Sequence, residues 1–219
     1  ELKQLPAVKK LGEIQPVELV PTYMGAHAVP AGTTAEAYIE RCVNEILPKI
    51  AESGLAEFAD IFCEEGVFSL SQSEKYLLKA GSLGFRLKLH ADEMVSLGGA
   101  GLGARLGAVS ADHLLKIGKE DIARLAKSDT IATVLPLTAF CLWEDYAPGR
   151  ALIVGGAIVA AASDFNPGSC CSCSVPLLIA LCCIYMKMSV EETLTALTIN
   201  GAAACGREKS SGSIEVGKQ

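Results

Sequence analysis

Short apolar runs of strand length recur along the chain, and stretches with apolar positions every three or four residues lie between them. Residues 17–23 (VELVPTY) predict a first strand, and helical periodicity follows over 34–52. Residues 59–63 (ADIFC) predict a second strand with a helix over 71–83, and 85–89 (FRLKL) a third. A short fourth strand falls at 108–111 with a helix over 119–126, a fifth at 130–135 (TIATVL) and a sixth at 157–162 (AIVAAA). Residues 175–205 read as mostly helical, and Ser189-Val190-Glu191-Glu192 has the form of a capped helix start. The opening ELKQLPAVKK reads as the interior of a helix with no cap.

Strands and helices that alternate in this way predict an α/β fold built on a parallel sheet. The runs also end beside reactive or polar residues: His27, Glu64 with Glu65, His90, His113, Thr138 and Asp164. All three histidines of the chain are in that set. A (β/α)8 TIM-type barrel collects its active-site residues at the C-terminal ends of its strands, whereas a doubly wound sheet gathers ligands at one switch point. The barrel is therefore the expected fold. About six of its eight units are visible, which would place the other two upstream of residue 1.

Bulk properties narrow the partners. The 219 residues are half hydrophobic with a net charge of −6, and no segment concentrates Lys or Arg. Nucleic acid and anionic membrane both require such a basic footprint and are not expected partners. The apolar runs 151–162 and 175–185 are shorter than the roughly 20 residues a membrane helix needs. They predict buried core. Nine cysteines, an odd number with no export signal, fit free thiols in a reducing cytoplasm. The run Cys170, Cys171, Cys173 lacks the second half of a zinc knuckle and reads as small packing residues.

Two segments could carry chemistry. In His90-Ala91-Asp92-Glu93 a histidine closes a strand with carboxylates just beyond it, offering a metal ligand beside a proton shuttle; an acidic helix start would look the same. Asp164 follows a run of small apolar residues, where a carboxylate needs a metal, a cation or backbone donors. The turn Asn166-Pro167-Gly168 after it could present backbone N–H groups to a ligand or be a structural Asx turn. The glycine-rich stretch 98–103 follows no bare strand and has no ribose-binding acid at the expected distance, so a dinucleotide site is excluded.

GAHAVP (25–30), FCEEGVFS (62–69), HADE (90–93), LGAVSADHL (106–114), SDFNPGS (163–169), TINGAAACGR (198–207) and GSIEVGKQ (212–219) stand in an order that resembles the imidazolonepropionase family of metal-dependent amidohydrolases. The resemblance covers nearly the whole chain. It implies the amidohydrolase barrel with a small β-sandwich, a hydrolase acting on a cyclic amide, one Zn2+ or Fe3+ ion, and a cytoplasmic homodimer. By position it makes His90 and Asp164 metal ligands, with Asp164 also taking a proton from water. It makes Glu93 a contact to the imidazolone ring that assists proton transfer, and His113 a partner of the substrate carbonyl or attacking water. His27 would bind substrate, and Asn166, Gly168 and Ser169 would hold the product, formiminoglutamate. The family's His-x-His ligand pair has no counterpart here, and its Arg and Tyr substrate contacts would lie upstream. The sequence therefore reads as an incomplete barrel domain over 1–219, with 206–219 leading back toward the β-sandwich. The isolated chain is expected to bind metal poorly and not to turn over. Another cyclic amidohydrolase, a deaminase of the same superfamily, or a non-catalytic barrel remnant are the alternatives. Gly101 and Gly103 fall where the resemblance implies a helix, each at a cost of about 1 kcal/mol relative to alanine.

Overall fold

The computed structural model describes residues 2–219. Strands β1 (Thr22–Ala26), β2 (Phe58–Cys63), β3 (Arg86–Ala91), β4 (Ser110–His113), β5 (Ile131–Val134) and β6 (Val159–Ala161) form one sheet. They lie side by side in chain order, and every neighbouring pair is parallel. Helices fill the connections: α1 (Gln4–Ile14) leads in, α2 (Ala35–Arg41) and α3 (Leu47–Ser53) follow β1, and α4 (Leu70–Ser82) follows β2. Next come α5 (Gly99–Leu106), α6 (Lys119–Leu125), α7 (Pro136–Leu142) and α8 (Gly149–Gly155), then α9 (Val175–Ile184), α10 (Val190–Leu197) and α11 (Ile199–Ala204). A doubly wound sheet reverses its strand order at a switch point; a sheet that adds each strand on the same side winds as a barrel does. Six consecutive β/α units of that barrel are present.

The core lies between the sheet and the helices. Ile61 of β2, Leu89 of β3 and Val134 of β5 are wholly buried, each contributing about 1.5–3 kcal/mol relative to exposure. Helix α4 begins with a full capping box, in which Ser69 accepts from the Gln72 N–H and Gln72 from the Ser69 N–H.

Two details depart from the sequence reading, and a third gains its reason. The first strand begins at Thr22, not at residue 17, because Pro21 has no N–H for a ladder; its carbonyl instead accepts from Glu57 and Phe58. The helical stretch after β1 is divided by a π-helical turn at Cys42–Ile46, which ends where Pro48 interrupts the amide series. The glycines of α5 have a packing reason. A Cβ on Gly103 would sit 2.7 Å from Leu89 Cδ2, and one on Gly99 would sit 2.8 Å from Ala91 Cβ. Their absence lets α5 close onto β3.

Candidate metal centre

Parallel register places side chains of adjacent strands in rows. Phe62, His90, Asp112, Thr133 and Ala160 are consecutive partners across β2 to β6, and Asp60 pairs with Lys88 one step below. Residues two apart share a face of a strand, so these rows project from the sheet face opposite Ile61 and Leu89. Apart from Phe62, they line a cavity of about 270 Å³ that also takes in Asp164. Two of its polar atoms, Asp112 Oδ1 and Thr133 Oγ1, have no hydrogen-bond partner, which suits a polar guest.

Asp60 is the hub of the arrangement. It is 2% exposed, and its Oδ1 lies 2.9 Å from both His27 Nε2 and His90 Nδ1. The two imidazoles meet edge to face, 4.3 Å between centroids. Burial works against charge on Asp60, but the facing histidines outweigh it and hold the carboxyl well below its usual range. Burial likewise opposes the His90 imidazolium, yet the charge and hydrogen bond of Asp60, with Asp112 and Asp164 nearby, raise it to about 9. A carboxylate on Nδ1 is the arrangement that orients a metal-binding histidine and leaves Nε2 for the ion. Ligand atoms of His27, Asp60 and His90 also lie within 4.8 Å of one another, so this trio could itself hold an ion.

Asp164 follows β6 with φ +50°, and its Oδ2 accepts from Thr138 Oγ1 at 2.6 Å. His113 ends β4 with φ +78°. Strand alternation alone would send it toward the helices with Ala111. The left-handed turn at His113 and Leu114 accompanies a different outcome: the ring lies 5.0 Å from that of His90, and its Nδ1 is 3.3 Å from Glu93 Oε1. Burial pushes His113 down to about 3, with the His90 charge adding to the effect, so this contact joins a neutral imidazole to a carboxyl group. Burial raises Glu93 to about 6 against the pull of His90, with Asp164 and Glu64 adding to the rise.

The sequence-derived residues thus divide. His27, His90, His113 and Glu93 form one connected cluster, and Asp164 lines the cavity that His90 also lines. Asn166, Gly168 and Ser169 form a turn of their own: Asn166 Oδ1 accepts from the Gly168 and Ser169 N–H groups at 2.9 and 2.7 Å. Sequence reasoning missed Asp60. The signal was present, since a carboxylate inside the apolar run ADIFC has the same need for a partner as Asp164. All nine cysteines are free thiols, and among the described residues none joins a metal-type cluster.

Residues 74–219 match the model of the Amidohydrolase family. Over its whole length the chain is 55% identical to an imidazolonepropionase of Parabacteroides distasonis and 53% identical to one of Clostridium tetani, covering 53% of each. The chain spans about half the length of the curated relatives it matches. Among solved structures, a zinc-bound adenosine deaminase from Xanthomonas campestris superposes with a TM-score of 0.66 at 21% identity, over 89% of this chain and 50% of that one. An atrazine chlorohydrolase variant from Arthrobacter aurescens, complexed with zinc and atraton, gives 0.62 at 17% identity, over 82% and 46%. Both likenesses concern the fold.

Proposed function

The chain belongs to the Amidohydrolase family, and from that we propose that the whole protein is an imidazolonepropionase. It would add water across the cyclic amide C–N bond of 4-imidazolone-5-propanoate to give N-formimidoyl-L-glutamate. The observation that carries this reading is identity of 53–55% to imidazolonepropionases along the entire chain. Histidine degradation, a homodimeric cytoplasmic protein, and a small β-sandwich reached through residues 206–219 belong to the same proposal. No helix among the described residues is long and apolar enough to cross a membrane.

The donor set fits a metal ion. His90, fixed through Nδ1 by Asp60, keeps Nε2 free, and Asp164 supplies a carboxylate oxygen beyond the one held by Thr138. These two residues would hold Zn2+ or Fe3+, whose chemistry when bound is to make water acidic enough to act as a nucleophile near pH 7. Asp164 would take the proton that the attacking water gives up. That proton must then reach the ring nitrogen as the C–N bond breaks, and the Glu93 carboxylate, whose pKa burial raises to about 6, can receive it from Asp164 and pass it on. With Glu93 ionised, His113 donates from Nδ1 to it and presents the Nε2 lone pair, which favours the attacking water over the substrate carbonyl as its partner. His27 would meet the substrate through the nitrogen that Asp60 leaves free, and Asn166, Gly168 and Ser169 would border the product.

The test is ring opening of 4-imidazolone-5-propanoate by the full-length protein, with metal content measured alongside. One metal ion per chain, and turnover lost in Asp164→Asn, is the expected result. A folded full-length protein with neither metal nor turnover would overturn the proposal.

A further inference from the structure

The segment that carries Glu93 has no backbone ladder of its own. After β3 the chain bends through 92–95, and the N–H groups of Glu93, Met94 and Val95 donate to no backbone carbonyl. All three converge on one side chain. Glu64, wholly buried at the end of β2, accepts from Glu93 N at 3.0 Å and Met94 N at 2.9 Å through Oε2. Its Oε1 accepts from Val95 N at 3.2 Å and from Glu65 N at 3.0 Å. Successive amides aimed at one anion form a nest, and here the anion is a side chain of the neighbouring strand. Glu64 is itself fixed, because its N–H donates to Phe68 O and its carbonyl accepts from Val67 N in the turn after β2. Among the described residues it forms no ion pair, so the amides are the partners that justify a buried carboxylate. Asp92 does the same for the far end of the segment, accepting from Leu97, Gly98 and Ala100.

We propose that Glu64 is a positioning residue for Glu93: its carboxylate sets the peptide planes of 93–95 and so aims the Glu93 side chain at His113 and the substrate. The inference rests on the role given to Glu93 under the proposed function. It explains why two carboxylates, Glu64 and Glu93, stand at neighbouring strand ends without sharing a job. Glu93 moves a proton, and Glu64 accepts from four N–H donors.

Glu64→Gln in the full-length protein tests this. A glutamine keeps one oxygen and turns an NH2 toward two N–H donors, so half of the nest is lost in either amide orientation. A displacement of the order of 1 Å at a proton-transfer group costs on the order of 10²-fold in turnover. The expected result is a fall in kcat of that order with KM changed less than about threefold and metal content unchanged. Amide hydrogen exchange should accelerate at least about tenfold at residues 93–95, with the strands as protected as in the parent. Parental kcat, or protection lost evenly across the sheet, would overturn the proposal. If Glu64→Gln does not fold, Glu64→Asp, which is too short to reach all three amides, carries the same two expectations. If the parent itself does not turn over, the proposed function fails on that measurement, and exchange at 93–95 alone decides whether Glu64 holds the segment.

Discussion

Replacing Asp60 by asparagine removes one charge from the centre of the site and leaves nearly the same volume and one acceptor oxygen. Asp60 Oδ1 takes hydrogen bonds from His27 and His90, both at 2.9 Å. A hydrogen bond to a charged group contributes about 1.5–3 kcal/mol and a neutral one about 0.5–1.5, so each contact weakens by about 1–1.5 kcal/mol. Only the His90 contact bears directly on a metal ligand, and that share corresponds to about a tenfold rise in the metal Kd. If the new NH2 faces His90 the ring loses its orientation as well, which extends the range to about 100-fold. The fold should suffer less, because removing a charge that is 2% exposed recovers desolvation energy; a loss below about 2 kcal/mol is expected. The assays are chelator competition for metal affinity and denaturant unfolding for stability, on the full-length protein. A metal Kd within about twofold of the parent would refute the orienting role. Complete loss of metal in Asp60→Asn, matched by complete loss in His27→Ala, would refute it from the other side, since the trio His27, Asp60 and His90 would then be the ligand set.

Three further outcomes follow from the geometry. Burial raises Glu93 to about 6, so activity that requires its carboxylate should rise with pH through that region, and a cation bound at His90 would draw the midpoint lower; the kcat profile checks this, with Glu93→Gln expected to abolish the limb. The same raised value acts on stability with opposite sign: up to about 2 kcal/mol is present below pH 4.5 and lost as pH rises through 6, which Glu93→Gln should remove from the unfolding curve. Gly103→Ala gains about 1 kcal/mol of helix propensity but drives a Cβ to 2.7 Å from Leu89 Cδ2. Overpacking costs about 1–3 kcal/mol, so a net loss of up to about 2 kcal/mol is expected, and a gain on thermal or denaturant unfolding would show that α5 can move away.

The parts of this structure that could be read from the sequence are those fixed by short-range physics. The run FRLKL announces β3 because Leu87 and Leu89 must face the helices, and the same alternation puts Lys88 and His90 on the opposite face. The strand ends likewise showed where the histidines and Asp164 would gather. What the sequence did not reveal depends on which strands become neighbours. Asp60 looks like a liability within ADIFC until β1 and β3 flank β2 and bring His27 and His90 to one oxygen. Glu64 and Glu93 are 29 residues apart, and nothing local says that one carboxylate holds the backbone carrying the other. His113 shows a third kind of difficulty. Strand periodicity assigns it to the wrong face, and the left-handed turn at His113 and Leu114 is what accompanies its place beside His90. A non-glycine residue in that conformation persists only where the surroundings over-determine it. Asp164, at φ +50° just beyond β6, shares that condition and lines the cavity with His90, whereas Asp92, at φ +51° just beyond β3, turns its carboxylate to the start of α5. Of the non-glycine residues with positive φ, Trp143 and Lys187 lie away from the site, but His113 and Asp164 keep this conformation where their side chains meet Glu93 and Thr138, which favours a site held for chemistry over a barrel remnant.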